Sequence, residues 1–264
     1  MKTYSIFETH AHYDDEAFEP DRDVLLSSLQ GNGIGTVVNV CASVGELGRT
    51  IALTEKYPFV YGAVGVHPDD ADKMTEQTLN EIRELSRREK ILAIGEIGLD
   101  YYWHKEEAAH EIQKKMFRAQ MDIAREEKLP FMIHSRDAAK DTLDIVKEYM
   151  DEGMYGGIIH CFSYGKEMAE QYLNMGLYLG IGGVVTFKNA KKLKEVVEYA
   201  PLEQLVLETD SPYLSPEPNR GKRNSSLNLP YVARAIGELK GISEEEVIRI
   251  TGQNAEKLLF HRIK

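Results

Sequence analysis

The chain has 264 residues, 42% hydrophobic and 28% charged, which is the balance of a folded globular protein and excludes a disordered or fibrous one. Its 43 acidic and 32 basic residues give a formal net charge of −11, which argues against a protein held to nucleic acid by overall charge but leaves a local basic patch or a metal site open. Two cysteines exclude a disulfide framework, no apolar run approaches the roughly 20 residues of a membrane span, and Met1–His10 lacks the apolar stretch of a signal peptide, so we expect a cytoplasmic protein without membrane contact.

Eight short runs rich in apolar and β-branched residues recur along the chain, separated by segments long enough for a helix. Each run is too short for a helix and lacks clean polar alternation, as expected of parallel strands buried on both faces. The predicted strands, in chain order, are Tyr4–Phe7, Thr36–Val40, Phe59–Val66, Ile91–Ile97, Phe131–His134, Gly157–His160, Tyr178–Ile181 and Leu205–Glu208.

The intervening segments carry apolar side chains at helical spacing. The predicted buried stripes are Val24, Leu25, Ser28 and Leu29; Ile112, Met116, Ala119 and Ile123; Leu193, Val196 and Val197; and Val232, Ala235, Ile236 and Leu239. Eight strands alternating with about eight helices predict an α/β protein, a single (β/α)8 TIM barrel domain over residues 1–264. A doubly wound open sheet is the alternative, although the turn Glu8-Thr9-His10-Ala11-His12 is not the Gly-rich phosphate loop that usually follows its first strand.

Side chains of the types that bind metals stand at the carboxyl ends of the predicted strands, where barrel enzymes carry their active sites. They are His10 and His12 after strand 1, His67 after strand 3, Glu96 in strand 4, His134 in strand 5, His160 in strand 6 and Asp210 after strand 8. Alternate residues of a strand point to the same side, so the imidazoles of His10 and His12 can bind the same ion.

Histidines and carboxylates without a cysteine suit a divalent ion such as Zn, Mn, Mg, Ni or Co. Four histidines and two carboxylates are more than one tetrahedral centre needs, which favours two ions about 3.5–4 Å apart that share a carboxylate.

An ordered set of motifs resembles the TatD family of metal-dependent deoxyribonucleases over essentially the whole chain. The motifs are Glu8-Thr9-His10-Ala11-His12, Gly65-Val66-His67-Pro68, Gly95-Glu96-Ile97-Gly98-Leu99-Asp100-Tyr101, His134-Ser135-Arg136, His160-Cys161-Phe162-Ser163 and Glu208-Thr209-Asp210-Ser211-Pro212. The resemblance implies a TIM barrel of the metallo-dependent hydrolase type that cleaves phosphodiester bonds in DNA. It also implies that His10, His12 and Asp210 bind one ion, that His134 and His160 bind the other, and that Glu96 bridges them.

The chain departs from the family pattern at three places. Glu8 stands where the family usually has Asp, Tyr164 where it usually has Gly, and Ser225-Ser226 where a Pro usually follows within two residues of Arg223-Asn224. Glu8 precedes the ligands and is not one of them, so we expect only the residues that support the histidines to be rearranged.

Other residues near the predicted mouth carry open alternatives. His67 could donate to a substrate phosphate or cap the end of strand 3, and Arg136 could contact a phosphate or pair with a carboxylate at the mouth. Tyr101, Tyr102 and Trp103 could stack on bases or cover a loop. The segment Asn219–Asn224 places Arg220, Lys222 and Arg223 beside strand 8, where they could hold the substrate backbone or offset nearby acids in a solvated turn.

These residues predict metal-dependent hydrolysis of DNA with Asp210 and Glu96 as the catalytic carboxylates. Asp210 would take the proton of the attacking water, while Arg136 or His67 would help to neutralise the phosphoryl oxygens. The alternatives are an amidohydrolase that cuts a C–N or ester bond, often with a modified lysine where this chain has Glu96, and a metal-bound scaffold without activity. DNA is the expected partner, and the sequence indicates no obligate protein partner.

Overall fold

The computed structural model describes residues 5–262 and contains the predicted barrel of eight parallel strands. The strands are β1 Ile6–Ala11, β2 Ile34–Val40, β3 Val60–Val64, β4 Ile91–Asp100, β5 Phe131–Arg136, β6 Gly157–Ile159, β7 Tyr178–Ile181 and β8 Leu205–Leu207. All eight predicted runs correspond to strands, and the predicted start of the first at Tyr4 lies outside the described residues. The TIM barrel prediction is confirmed.

The strands pair in chain order from β1 to β8, each parallel to the next. The two ends of this sheet meet beyond the regular ladder, where Ala11 forms an isolated parallel bridge with Ser211. Beside it, the backbone N–H of Asp210 donates to the carbonyl of His10 at 3.0 Å. The alternative of an open, doubly wound sheet is therefore wrong.

Nine α-helices lie in the described part of the chain, one more than the predicted eight. They are α1 Arg22–Leu29, α2 Leu47–Lys56, α3 Glu76–Leu85, α4 Glu107–Glu126, α5 Ala139–Asp151, α6 Lys166–Asn174, α7 Lys191–Tyr199, α8 Leu229–Lys240 and α9 Glu244–Leu259. None of the helices among residues 5–262 is long and apolar enough to cross a membrane.

The additional helix, α9, covers the amino end of the barrel. Gly241 ends α8 at a positive φ of 69°, and the Ser243 hydroxyl accepts the backbone N–H of Glu246 to begin α9. Ala255 and Leu258 of α9 then pack against side chains from the beginnings of the strands, in one buried cluster. This packing leaves the carboxyl ends of the strands as the open end of the barrel.

Two predicted helix faces are rotated in the structure. In α1, Leu26 and Leu29 are buried while Val24 is exposed. In α4, Ile112 is exposed, and the buried face is formed by Gln113, Phe117, Gln120, Met121, Ile123 and Ala124. The stripe on α7 is confirmed, because Leu193, Val196 and Val197 are buried. On α8, Val232 and Ile236 are buried as predicted, whereas Ala235 and Leu239 are half-buried.

The glutamines of α4 explain its rotation, because their amides bond the ends of two strands. Gln120 accepts the N–H of Val66 at 2.7 Å and donates to its carbonyl at 3.1 Å. Gln113 does the same for Asp100, at 3.0 and 3.1 Å. Each amide satisfies a buried donor and a buried acceptor, as a neighbouring strand would, and so fixes the backbone where β3 and β4 reach the mouth.

Candidate metal centre at the barrel mouth

The first strand delivers two imidazoles to the mouth. His10 and His12 are both buried, and their Nε2 atoms lie 3.2 Å apart. Nδ1 of His12 lies 2.7 Å from the carbonyl oxygen of Val40. A carbonyl can only accept a hydrogen bond, so Nδ1 of His12 is the donor. This bond orients the ring so that its Nε2 faces the centre of the site.

Glu96, on β4, presents its two oxygens to different histidines. Oε2 lies 3.3 Å from Nε2 of His10 and 3.6 Å from Nε2 of His12. Oε1 lies 2.9 Å from Nδ1 of His134 on β5 and 3.7 Å from Nε2 of His160, which follows β6. One buried carboxylate thus stands between two groups of imidazoles.

Asp210 completes the side of the site next to β1. Its Oδ1 lies 3.3 Å from Nε2 of His12 and 3.7 Å from Nε2 of His160. The backbone at Asp210 has a positive φ of 56°, a conformation that Asp tolerates better than most residues. Both carboxylates line the cavity, and that of Asp210 is the more accessible, at 18% exposed against 4% for Glu96.

Two buried carboxylates behind the histidines were not assigned a role from the sequence. Oδ2 of Asp100 lies 3.1 Å from Nε2 of His134, and Oε2 of Glu208 lies 3.1 Å from Nδ1 of His160. Carboxylates in such positions fix the ring orientation and the proton position of metal-binding histidines. Both residues lie within the quoted motifs, so their position beside the ligands was the available signal.

The charges in the site shift the pKa values of its side chains in the direction opposite to that of burial. Burial raises the pKa of Glu96, but the surrounding histidines, His160 and His10 foremost, hold that pKa well below its usual range. Burial lowers the pKa of His12, yet its hydrogen bond to Asp210 and the charge of Glu96 raise it to about 10. The carboxylates therefore require positive charge, which either protons or metal ions can provide.

The donor set fits divalent ions. Among the residues that the structure describes, four groups of side chains have ligand atoms within 4.8 Å of one another: His10, His12 and Glu96; His67, Glu96 and His134; His10, His160 and Asp210; and His160, Cys161 and Glu208. Among residues 5–262, Glu96 forms ion pairs with histidines and with no Lys or Arg. Nδ1 of His10 is buried without a hydrogen-bond partner. A buried carboxylate balanced by imidazoles alone is the chemistry of a metal site.

His67 and Arg136 both line the cavity of about 710 Å³ that opens above this cluster. Nδ1 of His67 accepts the N–H of Asp69 at 3.2 Å, which caps the turn after β3, while its Nε2 lies 3.8 Å from Oε1 of Glu96. Arg136 is exposed, and its guanidinium lies 4.0 Å from the ring centre of Tyr102. His67 therefore has the predicted capping role and also faces the site.

Arg220 and Arg223 lie outside this cavity lining. Arg223 forms a two-pronged ion pair with Asp21, at 2.7 and 2.6 Å. The Arg220 guanidinium stacks 4.2 Å from the ring centre of Phe187, and its Nη1 is 4.0 Å from Oε1 of Glu217. For Arg223 the structure shows a cation that offsets a nearby acid, and a role of either residue in substrate binding stays a prediction.

Two departures from the family pattern meet in the structure. The Ser226 hydroxyl donates to Oε2 of Glu8 at 3.0 Å, and the other oxygen of Glu8 accepts the N–H groups of Thr209 and His10 at 2.8 and 3.2 Å. Burial raises the pKa of Glu8 to about 8 against these hydrogen bonds. Glu8 thus joins β1 to the chain after β8, and Ser226 supports it from the following loop.

A barrel with histidines and carboxylates clustered at its carboxyl end is the architecture of a metal-dependent hydrolase, and comparisons with known proteins agree. The family model described as TatD related DNase matches residues 7–260. The chain is 45% identical to the uncharacterized metal-dependent hydrolase YabD of Bacillus subtilis (strain 168) over 253 residues, which covers 96% of this chain and 98% of YabD. It is 34% identical to the uncharacterized metal-dependent hydrolase YcfH of Escherichia coli (strain K12) over 260 residues, 97% of this chain and 96% of YcfH.

Solved structures show the same relationship. The TatD homologue YJJV of Escherichia coli K12 aligns with a TM-score of 0.89 at 27% identity and covers 97% of this chain and 98% of its own. A TatD family hydrolase of Entamoeba histolytica aligns with a TM-score of 0.85 at 25% identity, over 98% of this chain and 99% of its own. This chain belongs to the TatD family of metal-dependent hydrolases.

Proposed function

We propose that this protein hydrolyses phosphodiester bonds in DNA with two divalent ions as cofactors, drawn from Mg, Mn, Zn, Ni and Co. The proposed ligands are His10, His12 and Asp210 for one ion and His134 and His160 for the other, with Glu96 between them. The observation that carries this proposal is that the two oxygens of Glu96 face different histidines, with Oε2 3.3 Å from His10 and Oε1 2.9 Å from His134.

The chemistry divides between the ions and the protein. Bound divalent ions would supply the positive charge that acidifies an attacking water and stabilises the phosphoryl oxygens. Asp210 is the proposed proton acceptor, because its carboxylate is partly exposed to the cavity whereas that of Glu96 is buried. Arg136 and Nε2 of His67 line the same cavity and would donate to the nonbridging oxygens of the phosphate.

The organisation of the chain supports one catalytic unit. We propose that residues 1–264 act as a single barrel domain, which the match of the family model over residues 7–260 supports. Cys41 and Cys161 are both free thiols, and a cytoplasmic location is proposed on that basis.

A substrate panel tests the proposed function. Metal-reconstituted protein would be assayed on single-stranded DNA, RNA, a p-nitrophenyl phosphodiester and a set of amide and ester substrates, each with and without a chelator. We expect metal-dependent cleavage of the phosphodiesters, with DNA preferred. Turnover of an amide or carboxylic ester without cleavage of any phosphodiester would instead identify the amidohydrolase alternative.

A further inference from the structure

Two adjacent exposed aromatic side chains lie beside the cavity, and one of them, Trp103, lines it. Trp103 is 65% exposed and Tyr102 is 42% exposed, and their rings meet edge to face with centres 4.7 Å apart. Such exposure shows that Trp103 does not serve as a packed cover of its loop. Adjacent large aromatic surfaces that face solvent beside a cavity are typical of a binding site.

The aromatic pair is held in place by Asp100, which also contacts the proposed ligand His134. Oδ1 of Asp100 accepts the backbone N–H groups of Tyr102 and Trp103, at 2.9 and 3.0 Å, while Oδ2 of the same carboxylate lies 3.1 Å from His134. Arg136 lies above the pair, with its guanidinium 4.0 Å from the Tyr102 ring centre and 5.5 Å from that of Trp103. The aromatic rings and the Arg136 guanidinium are therefore held close to the proposed ligand His134.

A third exposed aromatic residue lies on the opposite wall of the cavity. Tyr213 is 56% exposed, lines the same cavity and follows β8, whereas Trp103 follows β4. Strands β4 and β8 are four positions apart in an eight-stranded barrel, so their loops face each other across the mouth. A chain lying across the mouth would pass an aromatic surface on either side of the metal centre.

The cavity is acidic, so a polyanion needs the aromatic surfaces of Trp103 and Tyr213 in order to bind there. Asp14, Asp15, Glu46 and Asp69 line it besides the acids of the centre, and Arg136 is the only Lys or Arg lining it among residues 5–262. Attraction between basic side chains and phosphates, which dominates most nucleic-acid binding, is therefore weak here. Stacking of bases on aromatic rings provides affinity that does not depend on charge.

We propose that Trp103 is a stacking site for an unpaired base next to the scissile phosphate. This inference rests on the proposed phosphodiesterase function and names a residue that determines substrate affinity. Bases in a duplex are stacked on one another, so their faces are not available to an indole at the rim of a cavity. Arg136, beside the indole, would hold the adjoining phosphate.

Trp103 also provides the test, because it is the one tryptophan of the chain and its fluorescence therefore reports on this position alone. Metal-loaded protein would be titrated with a phosphorothioate oligothymidylate, which resists hydrolysis, and with an abasic oligonucleotide of the same length and backbone. We expect saturable quenching by the first and little change with the second. Equal quenching by both, or by neither, would overturn the stacking proposal.

Variants extend the test to catalysis. Trp103→Ala should raise KM for single-stranded DNA about 10-fold and leave KM for the abasic oligonucleotide unchanged, while Trp103→Phe should retain most of the wild-type KM. Tyr155→Ala is the matched control, because Tyr155 is an exposed aromatic residue just before β6, outside the cavity lining. Equal KM values for Trp103→Ala and wild type on single-stranded DNA would refute the proposal.

The two proposals can fail separately. Quenching by the oligothymidylate without cleavage of any phosphodiester would refute the proposed reaction and leave the stacking site standing. Cleavage of single-stranded and abasic DNA with equal KM would support the reaction and refute the stacking site.

Discussion

The carboxylate of Asp100 contacts His134 and the Tyr102–Trp103 turn at once. Oδ2 lies 3.1 Å from Nε2 of His134, and Oδ1 accepts the two backbone N–H groups of the turn. One side chain thus orients a proposed metal ligand and fixes the rim of the cavity. Its buried position, where Gln113 also bonds its backbone, leaves the carboxylate little freedom.

Asp100→Asn should weaken metal binding about 10- to 100-fold, because it removes the charge that orients His134 but keeps an oxygen for the backbone N–H groups. Metal affinity would be measured by competition with a chelator of known affinity. Asp151→Asn, at an exposed acid that ends α5, is the matched control and should bind metal as wild type does. Unchanged affinity in Asp100→Asn would show that the contact with His134 does not support a ligand.

Glu96→Gln and Asp210→Asn should separate metal binding from proton transfer. An amide is a far poorer ligand than a carboxylate, so Glu96→Gln should lower both metal content and rate. Asp210→Asn should lower kcat about 10²- to 10⁴-fold, the range of a lost general base, with a smaller loss of metal. Metal content and kcat would be measured on the same preparations. Full activity in Asp210→Asn would exclude Asp210 as the base.

Reconstituted protein should hold two divalent ions per chain, and their removal should abolish activity and lower the melting temperature. At a free metal concentration about 100 times Kd, each ion contributes about 2.7 kcal/mol and two ions about 5.4 kcal/mol, which corresponds to a shift of about 10–20 °C for a chain of this size. Elemental analysis and thermal melting with and without chelator would check both numbers. A ceiling of one ion per chain would contradict the shared role of Glu96.

The salt dependence of DNA binding should identify the phosphate contacts. Each contact to single-stranded DNA contributes a slope of about −0.7 in log affinity against log salt, so Arg136→Ala should flatten the slope by about that amount. Replacement of Arg220, Lys222 and Arg223 by Ala should flatten it further if their loop follows the substrate backbone. We expect Arg223 to contribute least, because it is already paired with Asp21.

Trp103→Ala is the control for these measurements, because the loss of stacking should lower affinity without changing the salt slope. A slope that is the same in wild type and in the triple variant would remove Arg220 and Arg223 from the substrate contacts. An unchanged salt slope in Arg136→Ala would show that Arg136 does not contact a phosphate, so the metal centre alone would bind the phosphates.

The barrel and the cluster at its mouth could be predicted because both depend on local sequence. Strands buried on both faces appear as short apolar runs, and the residue at the end of a parallel strand must lie at the mouth. The rotated face of α4 could not be predicted in this way, because Gln113 and Gln120 are polar and are buried only through the backbone groups they bond. A search for apolar residues at helical spacing does not detect buried polar residues of this kind.

Contacts between side chains that are far apart in the chain could not be predicted from the sequence either. The cations at Arg220 and Arg223 suggest a phosphate site when read locally, but the partner of Arg223, Asp21, is 202 positions away. The same applies to Glu8 and Ser226, which are 218 positions apart and meet only when the barrel closes. The closed barrel brings distant segments together and so determines which charged and hydroxyl side chains find a partner. The local sequence around each side chain does not contain this information.

The helix α9 gives the active site a single opening. Because side chains fill the interior of such a barrel and α9 packs across its amino end, no strand of nucleic acid can thread through the molecule. Substrate must arrive, and both products must leave, by the same mouth. Under the proposed function, a released product would occupy the route of the next substrate, and we expect the product to inhibit competitively.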